Sequence, residues 1–247
     1  MKVRANGLSL PDLDTLAALE TGRYWTPAKR PGEALYRPAI NNGYWAEDII
    51  TDGLVLYVPL WLYSGAKFPS VDAYKHPCTV TGATWGLQGS PFDGATTVIT
   101  VPTNAAFGGT TLSFGGWVKP TSTFTTNYRK IIESNDGLFG LYTDITTPKF
   151  VGVPYAGLST TVAVADQWYY VMLTVVGSST KLYVNGALEA TGVASLADSS
   201  RSVVIGRRGL SAIQFWLGTI GGLFIYNRGL ALAEYQHNRN VTRWRYA

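Results

Sequence analysis

Few residues in this chain have the type and spacing to do chemistry. The nearest approach to a carboxylate pair is Glu133 and Asp136, in the run Glu133-Ser134-Asn135-Asp136-Gly137. Two carboxylates flanking one bond could hydrolyse a glycoside. Asp136-Gly137, however, has the signature of a turn, and Glu133 reads as a charge at a strand end. His76 and His237 stand far apart, with no second pair to complete a metal site. Cys78 is the single cysteine, which rules out an internal disulfide, and beside Pro77 it reads as a small buried hydrophobe rather than a nucleophile. Gly206-Arg207-Arg208-Gly209 could approach an anion, but no helix follows to add its dipole, so it reads as a polar turn between strands. No phosphate loop or dinucleotide fingerprint is present. These residues point away from catalysis and towards binding. Sugar sites set aromatic faces against pyranose rings while Asn, Asp and Arg fix the hydroxyls. Trp61, Tyr63, Tyr155 and Trp216 are the candidate ligand contacts, each with the alternative role of a core or rim residue.

The elements that must position such residues are strands. Glycine is abundant, Tyr and Trp are numerous and charge is sparse, a mix that suits many short strands joined by tight turns. Lys181-Leu182-Tyr183-Val184-Asn185-Gly186-Ala187-Leu188 spells out a hairpin, because Asn-Gly supplies the positive φ angles of a type I′ turn. Further strands are expected at 54–60, 96–102, 111–118, 130–134, 138–142, 169–176, 202–205 and 222–226, with a bulge at Gly115-Gly116 and a short helix at 231–237. No helix is long enough for a parallel crossover, so the expected fold is all-β. The best solution is a two-sheet antiparallel jelly-roll sandwich, preceded by an extended N-terminal arm containing a short helix.

Four segments, in order, resemble the laminin-G-like jelly roll of the concanavalin A-like superfamily over about 53–238. They are Phe92-Asp93-Gly94 with Val98-Ile99-Thr100-Val101-Pro102; Leu112 to Pro120; Trp168 to Gly192; and Tyr226-Asn227-Arg228-Gly229-Leu230 followed by Glu234. The resemblance implies a lectin-like sandwich. Its glycosidase members often carry Glu-x-Asp-x-x-Glu on one strand, a run this chain lacks. The family also commonly places acids after the first strand and near the last one to hold a structural calcium. Here those places read Trp61-Leu62 and Gly221-Gly222. Calcium wants six to eight oxygens, so the expectation is that the family-type calcium site is lost and no cofactor is needed. Asp93 remains, and reads as a turn residue before Gly94.

Residues 1–52 are different in kind. They hold four of the twelve prolines and seven of the sixteen acidic residues. A short helix is expected at about 11–20, with Pro11 in its first turn, Asp12 and Asp14 favouring its N-terminus and Gly22 ending it. Leu13 and Leu16 give it a sticky face. With Tyr24, Trp25, Tyr36, Tyr44 and Trp45, they make an arm expected to pack on its own sandwich or on a neighbouring subunit. Residues 239–247 form a basic C-terminal tail, either solvated and frayed or in contact with an acidic partner.

A net charge of +4, without a basic stripe interleaved with stacking aromatics, argues against nucleic acid. No apolar run spans a bilayer, and none of signal-peptide length follows Met1-Lys2-Val3-Arg4, so assembly in a cytoplasm is expected. Two functions follow as expectations. One is a non-enzymatic structural protein, a virion-type surface component such as a capsid decoration, fibre or spike subunit. It would be homo-oligomeric and anchored by its arm to a capsid or fibre protein. The other is a module that binds a surface glycan, and a glycoside hydrolase stands third.

Overall fold

A computed structural model describes residues 48–121 and 127–246, together with the backbone of four short strands nearer the N-terminus. The chain divides into two compact units, 1–49 and 50–247. In the first, β1 (Arg4–Ala5) pairs antiparallel with β2 (Leu8–Ser9), and β3 (Ala39–Asn41) with β4 (Tyr44–Ala46). Tyr44 and Trp45 thus fall on β4. Leu13, Leu16, Tyr24, Trp25, Tyr36 and the helix expected at 11–20 lie outside the described residues.

The second unit runs β5 (Leu54–Pro59), β6 (Lys67–Pro69), β7 (Pro77–Thr81), β8 (Ser90–Asp93), β9 (Val98–Asn104), β10 (Thr111–Pro120), β11 (Arg129–Ser134) and β12 (Gly140–Thr143). It continues with β13 (Lys149–Val153), β14 (Leu158–Val162), β15 (Tyr169–Val176), β16 (Ser179–Val184), β17 (Ala187–Val193), β18 (Arg201–Ile205), β19 (Leu217–Tyr226) and helix α1 (Leu232–Thr242). Two antiparallel sheets result. A seven-stranded sheet has the order β17-β16-β15-β10-β19-β5, with β8 pairing along the first half of β19. An eight-stranded sheet has the order β14-β13-β12-β11-β18-β9-β7-β6. The sheets pack face to face around Leu56, Phe114, Ile132, Leu141, Leu173 and Ile205, all fully buried. Each such side chain contributes about 1.5–3 kcal/mol of burial.

The Asn185-Gly186 turn forms as its residue types dictate, with φ of 50° and 100°. The side chain of Asn185 then accepts a hydrogen bond from Tyr170 N at 2.9 Å, tying the hairpin tip to β15. The bulge expected at the double glycine is present as a register shift between Gly116 and Val118 against β19. Asp93 is the turn residue that its place before Gly94 suggested: its Oδ1 accepts from the backbone of Ala95, Thr96 and Thr97. Burial pushes its carboxyl up, but these bonds and that from the Thr96 hydroxyl outweigh it and hold the group far below the carboxylate range. His76 is buried and structural, its Nε2 2.9 Å from Val55 O and its ring against Phe107. Cys78 is a free, buried thiol pushed up to about 12 by burial and then by Asp72.

What is unusual for a sandwich is that β5, β10, β15 and β19 are buried on both faces. The outer face of the seven-stranded sheet carries an aromatic layer. Tyr57 stacks on Phe224 at 4.6 Å, and Tyr170 lies between Trp117 and Tyr235 at 5.1 and 5.0 Å. Helix α1 covers this layer with Tyr235, Asn238 and Thr242, residues spaced to share one helical face. Its polar groups meet partners: the Trp117 indole donates to Thr242 Oγ1 at 2.7 Å, and Asn238 Nδ2 to the Tyr226 hydroxyl at 2.8 Å. The helix start is fastened by Glu234. Its carboxylate accepts from Ala231 N at 2.9 Å and receives both arms of Arg228 at 2.9 and 2.6 Å.

The Arg228 hydrogen bond, above all, pulls the Glu234 carboxyl down to about 2 from an ordinary value of 4.5. A folded-state value below the unfolded one means that this contact stabilises the protein fully above about pH 4.5, and the contribution is lost as pH falls through about 2. The melting temperature of Glu234→Gln is therefore expected to decline less steeply than that of the parent across this acid range, as read by circular dichroism.

Candidate functional site

With α1 laid over one sheet, the outer face of the other carries the cavity. Its walls follow from strand parity. Lys130 and Glu133 come from β11, where the bulge between Lys130 and Ile132 turns both side chains outward while Ile132 enters the core. Tyr142 on β12 stands directly opposite Lys130. Tyr128 precedes β11, Val153 ends β13, and Arg208, Leu210 and Gln214 descend from the loop after β18. Together they enclose about 350 Å³, within the range of small-ligand sites.

Two tyrosines make the aromatic walls, Tyr128 meeting Tyr142 edge to face at 5.5 Å and 90°. The Lys130 ammonium sits 4.1 Å over the Tyr142 ring and 2.6 Å from Glu133 Oε1. Glu133 Oε2 accepts from Gly209 N at 2.6 Å. Glu133 lies near the end of β11, as a strand-end charge would, but it is buried. It is 2% exposed, with one oxygen paired to Lys130 on its own strand and the other joining β11 to the loop. That loop is held elsewhere too: Arg208 N donates to Ile213 O at 3.1 Å, and Lys130 N to Gln214 O at 3.1 Å. Gln214 adopts φ of 56°, a left-handed conformation that costs a non-glycine residue about 1 kcal/mol or more. Burial first, then neighbouring Tyr128 and Asp144, push the Tyr142 hydroxyl up to about 12, so it is a neutral donor and acceptor at ordinary pH.

The four sequence candidates are not gathered at this site. Trp216 is corrected: it is fully buried in the core and presents no face to a ligand, because the chain turns inward as it enters β19. Tyr63 stacks on Phe68 at 4.0 Å and donates its hydroxyl to Pro69 O at 2.6 Å, a rim-packing position. Trp61 has its ring covered by the Arg245 guanidinium at 3.3 Å. Tyr155 is 60% exposed on the β13–β14 turn, close enough to bear on the ionisation of Tyr142. The cavity residues that sequence reading passed over are Tyr128, Lys130, Tyr142 and Gln214, and Arg208 was read there only as part of a polar turn. The available signals were the outward parity of β11 and β12 and the paired arginines at 207–208.

The C-terminal tail is likewise corrected. Helix α1 runs on to Thr242, past the expected end at 237, and a single 3-10 turn over Arg243–Arg245 follows. Tyr246 is buried and stacks on Trp117 at 4.6 Å. Docking of this end brings Arg245 and Tyr246 against Trp61 and Gly221. Leu60 N donates to Gly221 O at 2.9 Å, so Trp61 and Gly221 belong to one locality. A Cβ on Gly221 would lie 2.4 Å from the Tyr246 ring. The place where relatives put acids therefore holds a guanidinium on an indole and a phenol ring against glycine, groups that do not fit calcium. Among the described residues, no three His, Cys, Asp or Glu side chains gather where they could hold a metal ion, and no helix is long and apolar enough to cross a membrane.

The model of the concanavalin A-like lectin/glucanases superfamily matches residues 93–234, more than half of the chain. The chain belongs to this superfamily. The match starts at the Asp93 turn and ends at Glu234, so it takes in β11, β12 and the loop after β18 that build the cavity. As a concanavalin A-like sandwich, the chain is similar to domain 4 of AbnA, a GH43 extracellular arabinanase from Geobacillus stearothermophilus, solved in complex with arabinotriose. That likeness has TM-score 0.58 and 16% identity, over 78% of this chain and 100% of that domain. It is also similar to part of the Trypanosoma rangeli sialidase, solved in complex with sialic acid, at TM-score 0.62 and 20% identity. There it covers 82% of this chain and spans 35% of the sialidase. Among curated proteins, none matches the chain.

Proposed function

We propose that this concanavalin A-like sandwich is a non-enzymatic carbohydrate-binding module, and that it takes its glycan in the cavity on the outer face of the eight-stranded sheet. The observation that carries the reading is the pairing of Tyr128 and Tyr142 as walls around Lys130, Glu133, Arg208 and Gln214. Flat apolar faces beside fixed donors and acceptors suit a sugar ring, which is apolar on its faces and polar at its edge. The exposed side chain of Leu210 extends the apolar surface of the cavity. Binding without cleavage fits the state of Glu133, whose two oxygens are committed to Lys130 and Gly209. Kinship in fold to an arabinanase domain that holds arabinotriose supports the class of ligand. The finer reading, display on a virion-type surface through residues 1–52, draws no support from the fold or the relatives, and the binding reading stands without it.

A glycan array followed by calorimetry tests the proposal. Saturable binding of at least one oligosaccharide is expected, unchanged by EDTA, because the Trp61–Gly221 locality is filled by Arg245 and Tyr246 rather than by carboxylates. An array without hits would count against the module. Binding abolished by EDTA would count against its calcium independence.

A further inference from the structure

Resting on the reading of the cavity as a glycan site, we infer that its ligand is an acidic sugar, and that Arg208 receives the sugar's carboxylate. The inference comes from a charge inventory of the cavity. Lys130 and Glu133 neutralise one another at 2.6 Å. Among the described residues, the Arg208 guanidinium has neither a carboxylate within ion-pair range nor a side-chain hydrogen bond, although it lines the same walls and is half-buried. One positive charge is therefore left over, facing an enclosed space beside two tyrosines. The neighbouring Arg207 is spent on the loop, its Nη1 donating to Arg208 O at 2.7 Å.

The loop holds Arg208 still. Its own N–H bonds Ile213 O at 3.1 Å, its carbonyl takes Arg207, and the next residue, Gly209, donates to buried Glu133 at 2.6 Å. A Cβ on Gly209 would come within 2.0 Å of Ser134 O, so the loop lies directly on β11. Glu133 thus serves as a positioning residue for the arginine. With the loop backbone fixed, the guanidinium fork of Arg208 matches a planar carboxylate with two parallel hydrogen bonds. A single uncompensated charge fits one carboxylate per ring. Gln214, which also lines the cavity, offers an amide to hydroxyls.

The test pairs acidic and neutral forms of one ligand. The full chain is titrated with oligogalacturonides and with the same oligosaccharides after carboxyl reduction, alongside sialylated, sulfated and neutral glycans. Arg208→Gln and Arg208→Lys are run in parallel, with melting curves to show that both are folded. A carboxylated glycan is expected to bind best, its reduced form about tenfold to a hundredfold more weakly. Arg208→Gln should erase that difference, and Arg208→Lys should restore part of it and steepen the loss with salt. Equal binding of acidic and reduced forms, or a sulfated glycan preferred to every carboxylated one, would overturn the inference while leaving the module intact. Absence of binding by any glycan would overturn both.

Discussion

Tyr142→Ala is expected to weaken glycan binding by about thirtyfold or more, which corresponds to about 2 kcal/mol for a buried aromatic contact. Three arrangements converge on this side chain. It stands opposite Lys130 in the β11–β12 register, carries the ammonium 4.1 Å over its ring, and meets Tyr128 edge to face. Removing the ring takes away one wall and frees Lys130 to collapse fully onto Glu133. Tyr142→Phe separates the roles: it keeps the wall and the cation contact and removes only the hydroxyl, so a loss nearer tenfold or less is expected. The fold should hold in both variants, because the residue lies on the outer face while Leu141 beside it fills the core. Calorimetric titration of the best array ligand measures the effect. Unaltered binding by Tyr142→Ala would place the glycan elsewhere.

The largest stability effect is expected at Asp136. Arg201 is fully buried, and its Nε meets Asp136 Oδ2 at 2.9 Å. Its other nitrogens donate to the carbonyls of Ala197 and Phe107. Removing the carboxylate strands the buried guanidinium without its counter-charge; with Asp136 itself 31% exposed, the cost is about 2 kcal/mol, below that of a fully buried pair. Asp136→Ala also loses the turn bonds from Ser134 Oγ at 2.5 Å and Leu138 N at 3.1 Å, which Asp136→Asn retains in part. Asp136→Asn should therefore be the milder variant. Urea unfolding gives both values, and a loss under about 1 kcal/mol for the alanine variant would show the pair to be well compensated by water. Burial raises the Asp136 carboxyl, but its bonds from Ser134, Leu138 and Arg201 bring it below the ordinary carboxylate value. Its contribution is accordingly present above the unfolded value near 3.8 and fades as pH falls through the folded one.

Much of the sandwich could be read from local pattern. Asn185-Gly186 announced its hairpin, and β15 begins and ends where the sequence placed a strand, at Tyr169 and Val176. Strands β13 and β14 went unread because Pro148, Gly152 and Pro154 break their pattern, and they are short strands at a sheet edge. The site was far less legible. Glu133 and Gly209 are brought together only by the pairing of β11 with β18, and no local spacing records that contact. Trp216 was a candidate ligand contact because it could lie at a strand end or in a loop, whereas in the fold it is fully buried. Gly221-Gly222 was legible as the loss of acids. What takes their place is Tyr246, which belongs to the far end of the chain. At the site the misses share one physical cause: the deciding partner is distant in sequence.

On the reading proposed above, sugar occupies the cavity between β11, β12 and the loop after β18. Amide chemical-shift mapping of the isotope-labelled chain, titrated with the strongest ligand from the array, tests it most directly. Saturating shifts are predicted for Tyr128, Lys130, Glu133, Tyr142, Arg208 and Gln214, while residues under α1 such as Tyr170 and Tyr226 stay still. Shifts confined to the Trp61 locality or to the β14–β17 edge would contradict the account.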